Sequence, residues 1–156
     1  MRTHSYLPLL LLPTLALAQT DRAGIGTTTP RAGLDVAHND GLIATGEFNS
    51  GNTDNLPTGS GTRLMWIPAK AAFRVGTVEG GAWNPENVGI YSFGAGNNAT
   101  ASGELSMAFG GNATASGISS MVFGQGCATP GISAIAIGTA NTASGSASMA
   151  LGLRTT

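Results

Sequence analysis

The chain has 156 residues, of which 10% are charged and 24 are glycine, and its formal net charge is −1. Disordered chains usually combine high charge with few apolar residues, whereas 42% of these residues are apolar. With no basic cluster, the composition excludes nucleic acid and anionic membranes as partners and favours thin β-structure built from small residues.

Residues 1–18 have the pattern of a secretory signal peptide. Residues 7–17 are apolar apart from Pro and Thr, and Ala16-Leu17-Ala18 is an A-x-A cleavage signal. The apolar stretch is shorter than the ~20 residues that span a bilayer, so we expect no membrane insertion by this chain. Cleavage would start the mature chain at Gln19, exported to the cell surface or the extracellular medium.

The next segment, residues 19–36, leads into the body of the chain. It contains the sequence GIGTTTPRAGLDV. This motif is similar to one found in bacterial tail-fibre-like and long surface proteins, and the resemblance implies a segment that precedes a fibrous or repetitive region.

Residues 37–87 form an irregular β-rich segment. Two β-prone runs, residues 63–68 and 72–75, are separated by a short break at residues 68–71, which predicts a hairpin or paired strands. An uncapped solenoid end exposes unpaired strand edge, so we expect this segment to cap the repeats that follow. The predicted capping side chains are Trp66, Phe73 and Trp83.

Residues 88–152 repeat with a period of fourteen. Phrases of the type SMAFG alternate with phrases of the type NATASG, so two seven-residue halves make one repeat. A period this short predicts a solenoid, and we expect residues 153–156 to be the truncated end of its last coil. Glycine marks the predicted turns at Gly103, Gly110, Gly117, Gly124, Gly131, Gly138, Gly145 and Gly152.

Each half repeat alternates with the period of a strand. Met107-Ala108-Phe109 reads large, small, large, and Ala113 and Ala115 share one face of the second half. Glycine at every seventh position is incompatible with a helix but suits tight turns, where it supplies left-handed or strained backbone. The sequence therefore predicts an all-β roll whose fourteen-residue coils stack at about 4.8 Å.

The large side chains of the first half repeat are predicted to fill the roll. Packed sheets stand about 10 Å apart, and alanines on one side need large partners on the other to fill that gap. The small face, with Ala108 and Ala136, would then lie outside, where three chains can approach closely. The predicted roll core is Phe93, Met107, Phe109, Met121, Phe123, Ile135, Ile137, Met149 and Leu151.

The phrases SMAFGGNATASG and AIAIGTANTASGSASMALG are similar to the head repeats of trimeric autotransporter adhesins of the YadA type, whose pattern is A-I-G-x-x-A-x-A-x-G-x-x-S. The resemblance implies a left-handed parallel β-roll that assembles as a homotrimer and serves as an adhesive head or a stalk-like spacer. Residues 125–131 depart from the pattern, so we expect an irregular outer ladder there.

Several residues suggest chemistry, but their surroundings favour structural roles. Gly24-Ile25-Gly26 begins like a phosphate-binding loop, yet Pro30 and the lack of a following helix pattern break it. His38 stands alone after cleavage, and Cys127, the single cysteine, is predicted to face the roll interior as a small side chain. The dispersed acidic residues lack the spacing of a calcium loop and are Asp35, Asp40, Glu47 and Asp54.

No constellation in the sequence predicts catalysis, a metal or a cofactor, so we expect no enzyme. A carbohydrate-active solenoid generally needs a carboxylate pair, and the repeats contain one carboxylate, Glu104. The repeat itself generates the glycosylation pattern at Asn98 and Asn112, which we interpret as coincidence.

The leading functional prediction is a secreted or surface-exposed adhesive or spacer module. Its expected partners are two further copies of itself and, through multivalent contacts, host or matrix glycoproteins or neighbouring cells. The alternative is an ice- or crystal-binding solenoid, because threonine recurs at one position of the repeat, although Ala128 interrupts that row. The threonines are Thr100, Thr114 and Thr142.

Overall fold

The structure, a computed structural model, describes residues 22–37, 42–51, 53 and 56–156. The predicted signal peptide, His38, Asp40 and Asp54 lie outside the described residues. The chain divides into two compact units, Met1–Ile43 and Ala44–Thr156. In the first unit, β1 (Ala23–Ile25) and β2 (Leu34–Val36) pair in parallel.

The second unit begins with a β-hairpin. Strands β3 (Gly61–Ile67) and β4 (Ala72–Val78) pair antiparallel, and a 3-10 turn over Pro68–Lys70 joins them. Proline sets the backbone angle of the first turn residue, and Ala71 reverses the chain in the left-handed conformation with φ 46°. The hairpin predicted from the two β-prone runs is confirmed. A second 3-10 turn, Pro85–Asn87, precedes the repeats.

The repeats form a parallel β-solenoid, as predicted. Their longer strands stack in register one repeat apart, and β4 pairs in parallel with the first of them, so the hairpin extends one seven-stranded sheet. The shorter strands form a three-stranded sheet on the other wall, which a bridge between Ala128 and Thr142 continues. The longer strands are β5 (Phe93–Asn97), β7 (Met107–Phe109), β9 (Met121–Gln125), β11 (Ile135–Thr139) and β12 (Met149–Leu153), and the shorter ones are β6 (Thr100–Ala101), β8 (Thr114–Ala115) and β10 (Ala128–Thr129).

The roll interior contradicts the predicted core. Ala108, Ala113 and Ala136 are fully buried with Val122, and small residues from both walls form one buried cluster. A fourteen-residue coil has short strands and tight turns, so its walls lie too close for large side chains, and the 10 Å sheet spacing does not apply. The residues wrongly assigned to the core are half-buried or exposed on the outside, and they are Phe93, Met107, Phe109, Met121, Phe123, Ile135, Ile137, Met149 and Leu151.

The predicted turn glycines fall into two columns that differ in backbone conformation. Gly110, Gly124, Gly138 and Gly152 have φ between 109° and 136°, which favours glycine, and at the first three a Cβ would also collide with the carbonyl of the glycine one coil further on. Gly103, Gly117 and Gly131 do not have positive φ, which corrects the expectation of strained backbone at these turns. They need glycine because a Cβ would collide with the carbonyl group of the glycine one coil further on. Gly145 meets neither condition, since its nearest contact would be Ser148 at 3.5 Å.

Candidate functional surface

The outer side of the seven-stranded sheet is a candidate functional surface. We call it the apolar face. Its outward strand positions carry no charged side chain in the part of the chain that the structure describes. Its large side chains are Leu64, Trp66, Phe73, Val75, Phe93, Met107, Phe109, Met121, Phe123, Ile135, Ile137, Met149, Leu151 and Leu153.

Stacked aromatic rings form a ladder along the apolar face. Phe73 stacks on Phe93 at 5.3 Å between ring centroids, and Phe109 stacks on both Phe93 and Phe123 at 5.0 Å. Phe73 with Phe93 and Phe109 with Phe123 are register partners one strand spacing apart, whereas Phe109 lies opposite Ala95 and its ring reaches Phe93 diagonally. The rings therefore stabilise neighbouring coils against each other from outside, while the alanines do so from inside.

Much of the apolar face remains open to solvent in the single chain. Trp66 is 42% exposed, Phe123 36%, Ile137 43% and Met149 61%. Soluble monomers rarely expose contiguous apolar patches larger than a few hundred Å², and larger ones mark interaction sites. The apolar face therefore has the composition and exposure typical of an interaction surface.

The opposite wall presents a polar face, which we define as the outward side of the three-stranded sheet and its adjoining turns. Thr100 pairs with Thr114 and Thr114 with Ala128, so the predicted threonine row exists and Ala128 interrupts it. Strand β10, within residues 125–131, pairs with β8 over two residues, as β8 does with β6, and beyond it the shorter ladder is reduced to the bridge between Ala128 and Thr142. At the preceding turn, the amide of Asn98 donates to the amide oxygen of Asn112 at 3.3 Å.

The first coil of the roll is closed by two side chains, of which the sequence analysis identified one. Trp83 is buried, as its predicted capping role requires, and its indole N–H donates to the carbonyl of Ala99 at 2.7 Å. Arg74, which was not predicted, is fully buried and donates to the carbonyls of Ser92 and Ala101. Burial lowers the pKa of the Arg74 guanidinium to about 10, so it stays charged at neutral pH.

The other two predicted capping residues have different positions. Trp66 is exposed, and Phe73 belongs to the ring ladder. Both lie on the outward side of their strands, whereas Arg74 lies on the inward side. An arginine between two apolar residues in a β-prone run was the available sequence signal for a special role.

Several polar residues are buried in later coils, and Cys127 and Asn141 are hydrogen-bonded to each other. Cys127 is 1% exposed, which confirms its predicted inward orientation, and its sulfur accepts the backbone N–H of Asn141 at 3.4 Å. The Asn141 amide donates to the carbonyls of Ile137 and Gly152 at 2.6 and 2.7 Å and accepts the N–H of Thr155. The side chain of Asn141 thereby satisfies backbone groups inside the roll.

The remaining predicted sites are dispersed. Gly24 and Ile25 lie in β1, and no helix follows them within residues 26–37. Asp35 pairs with Arg31 at 2.9 Å, and hydrogen bonds from the Arg31 side chain and backbone lower the pKa of its carboxyl to about 2. Glu47 lines a shallow open pocket beside Pro68.

Within residues 22–37, 42–51, 53 and 56–156, no three His, Cys, Asp or Glu side chains cluster as metal ligands would. Over the same ranges, no helix has the length and apolarity needed to cross a bilayer.

These observations define a parallel β-solenoid with an alanine interior, one apolar outer face and one polar outer face. The family model of the YadA head domain repeat matches the chain twice, over residues 101–126 and 130–155. This part of the chain therefore consists of YadA-like head repeats, as the sequence pattern predicted. The short gap between the two copies falls on residues 127–129, within the coil that departs from the pattern. Comparisons with curated proteins and with solved structures give no match.

Proposed function

We propose that the chain is an exported, adhesive or spacing module of the cell surface, which acts as a homotrimer assembled through its apolar faces. The observation that carries this proposal is the uncharged apolar face, whose rings and aliphatic side chains stay exposed in the single chain. The match of residues 101–126 and 130–155 to YadA head repeats supports an adhesin-like head. The predicted signal peptide supports export.

The structure changes which surface we assign to the trimer axis. The small residues expected there, such as Ala108 and Ala136, are buried within each roll. Three rolls side by side would instead bury the ladder of Phe93, Phe109 and Phe123 and the aliphatic residues beyond it. Association of this kind is stabilised by removing apolar area from water, at roughly 25 cal/mol per Å².

The same assembly would leave the polar face on the outside. Hydroxyl and amide groups recur there from coil to coil, and three copies would present that pattern three times. A shallow site of low affinity gains avidity of ~10²–10⁴ when copies are linked. We therefore propose multivalent contact with host or matrix glycoproteins or neighbouring cells, without catalytic turnover.

The first test is the oligomeric state of residues 19–156. We expect sedimentation equilibrium to give three times the chain mass, and Phe109→Asp with Phe123→Asp to give folded monomers. Thr114→Asp on the polar face is the matched control and should remain trimeric. A monomeric wild-type chain at micromolar concentration would contradict the proposed assembly.

The second test compares binding by the trimer with binding by the monomer that carries Phe109→Asp and Phe123→Asp, which we call the apolar-face monomer. Surfaces coated with matrix glycoproteins and intact cells are the probes, and we expect saturable retention of the trimer alone. Equal and negligible retention of both would favour a passive spacer. Thermal hysteresis in the trimer would favour the ice-binding alternative, and saturable enzymatic turnover would overturn the proposal.

A further inference from the structure

The repeats create a problem of register for the hairpin. Strand β4 pairs with β5, but β7, β9, β11 and β12 present the same parallel pairing geometry one coil further on. Backbone hydrogen bonds alone therefore do not distinguish the first coil from the others, in the same chain or in a second copy. Register in such sheets must be specified by side chains.

One interior column differs at the first coil. Arg74 of β4 lies opposite Gly94 of β5, and every later longer strand has a side chain with a Cβ at that position. A Cβ on Gly94 would lie 2.9 Å from Cδ of Arg74 and 3.1 Å from its Nε, closer than such contacts tolerate. Gly94 does not have positive φ, so space for Arg74 is what requires glycine here. The later residues of the column are Ala108, Val122, Ala136 and Ala150.

The acceptors of Arg74 also distinguish the first coil. One terminal nitrogen donates to the hydroxyl of Ser92 and to the carbonyl of Ala101, both at 2.8 Å. In the next coil, the carbonyl equivalent to that of Ala101 is Ala115 O, which accepts the backbone N–H of Ser102 at 3.0 Å. Both carbonyls accept a second backbone donor, Gly89 N–H at Ala101 O and Gly103 N–H at Ala115 O, so Arg74 takes the place of the one remaining donor, Ser102 N–H.

Trp83 follows the same principle. Its indole N–H donates to Ala99 O, whereas the equivalent carbonyl of Ala113 accepts the backbone N–H of Thr100 at 2.7 Å. Two side-chain donors thus replace the missing neighbour of β6. Elsewhere in the roll, a buried guanidinium would lack these acceptors, and burying a charge without partners is strongly unfavourable.

We propose that Arg74 and Gly94 form a register key, a matched pair that admits the hairpin to the first coil and excludes it from every other coil edge. Arg74 is favoured where the Ser92 hydroxyl and the Ala101 carbonyl can each accept a further hydrogen bond from its guanidinium. At each later coil, the Cβ at the position equivalent to Gly94 would clash with the Arg74 side chain. The pair therefore combines the two elements that specificity requires, a favoured partner and a clash with the alternatives.

A double-mutant cycle in the full mature chain tests the coupling. Gly94→Ala should accelerate hydrogen exchange of the Trp83 indole N–H and of the β4–β5 amides by about 100-fold, because the new Cβ clashes with Arg74 and weakens docking of the hairpin on the first coil. In an Arg74→Ala background the same change should accelerate exchange by less than about tenfold, because the clashing side chain is gone. Ala136→Gly is the control for glycine content. Equal effects of Gly94→Ala in both backgrounds would overturn the proposal.

A deletion of one repeat tests specificity independently of stability. Removing residues 92–105 places Ser106, Ala108 and Ala115 where Ser92, Gly94 and Ala101 normally lie, so only the glycine of the key is lost. We expect the hairpin to stay undocked, with the Trp83 indole N–H exchanging freely, and Ala108→Gly in the shortened chain to restore protection. The circular dichroism of the remaining coils shows that they are folded. Full protection of the Trp83 indole N–H with Ala108 in place, or failure of Ala108→Gly to restore that protection, would overturn the proposed register key.

Discussion

The longer strands carry small side chains on their inward side and large ones on their outward side, whereas an ordinary core has its large apolar side chains inside. The inward side of β7, β9 and β11 carries alanine and valine, whereas the outward side carries phenylalanine, methionine and isoleucine. Alternation in a sequence separates the two sides of a strand but does not identify the interior. The width of the enclosed space decides that, and a coil of fourteen residues encloses very little.

The difference also separates two sources of stability. The interior holds each roll together through close backbone stacking and alanine packing, which leaves each coil dependent on its neighbours. The apolar face contributes ring stacking within one chain, but most of its area becomes useful only when another surface covers it. Changes on the two sides should therefore have different effects on folding and on assembly.

The largest expected effect comes from enlarging an interior residue. Ala136→Phe should destabilise the roll by ~3 kcal/mol or more, because the walls cannot separate without breaking both strand ladders. Chemical denaturation followed by circular dichroism measures the change in the free energy of unfolding. The outward control Ile137→Phe should change it by less than ~1 kcal/mol. Similar losses for both variants would contradict the assignment of inside and outside.

A second prediction separates the close approach of coils from backbone strain. Gly117→Ala should cost ~2–3 kcal/mol, because the new Cβ meets the carbonyl of Gly131 although φ is not positive. Gly145→Ala occupies the equivalent position with open space and should change the free energy of unfolding by less than ~1 kcal/mol. Denaturation midpoints of the two variants provide the comparison. Equal losses would show that the turn conformation, not the contact, requires glycine.

The third prediction concerns the outward rings. Phe123→Ala should lower the unfolding free energy of the single, dissociated chain by only ~1 kcal/mol, the value of one stacked ring pair with Phe109. If Phe123 pointed inward, as the sequence predicted, Phe123→Ala would instead lower the free energy of unfolding by ~3–5 kcal/mol. In the wild-type background, the same change should raise the dissociation constant of the proposed trimer by more than about 100-fold, as for a central interface residue. Analytical ultracentrifugation across a concentration series measures this shift.

The sequence was sufficient for the hairpin and the coil period, because both depend on local patterns. Turn residues at 68–71 and the seven-residue glycine spacing determine where the chain reverses. The sequence could not predict that small residues fill the interior and large ones lie outside, because no local pattern reports the distance between the two walls of the roll. Arg74 was missed for a related reason, since its role depends on the acceptors of the first coil, which become adjacent only when the roll is built.

The turn conformations show the same limit. The sequence placed left-handed backbone at glycines, but Leu105 and Ser119 also adopt it, with φ of 57° and 56°. Each precedes a longer strand by two residues, at a position that the repeat fills with several residue types. The equivalent residues Tyr91, Ser133 and Ala147 adopt the same conformation, so residue identity at this position carried no signal.

The smallest expected effect is a pH dependence confined to the first unit. The folded pKa of Asp35 is lowered to about 2 by the hydrogen bonds of Arg31, so its contribution is present above the ordinary aspartate pKa of ~3.9 and is lost as pH falls towards 2. We expect the Arg31 amide, which donates to the Asp35 carboxylate at 3.0 Å, to lose exchange protection over that range. The interior amides of the roll should not change, because its buried cluster consists of alanine, valine and cysteine. NMR titration measures both regions in one experiment, and Asp35→Asn should abolish the pH dependence of the Arg31 amide. A midpoint near 4 for Asp35 would show that the ion pair does not persist in solution.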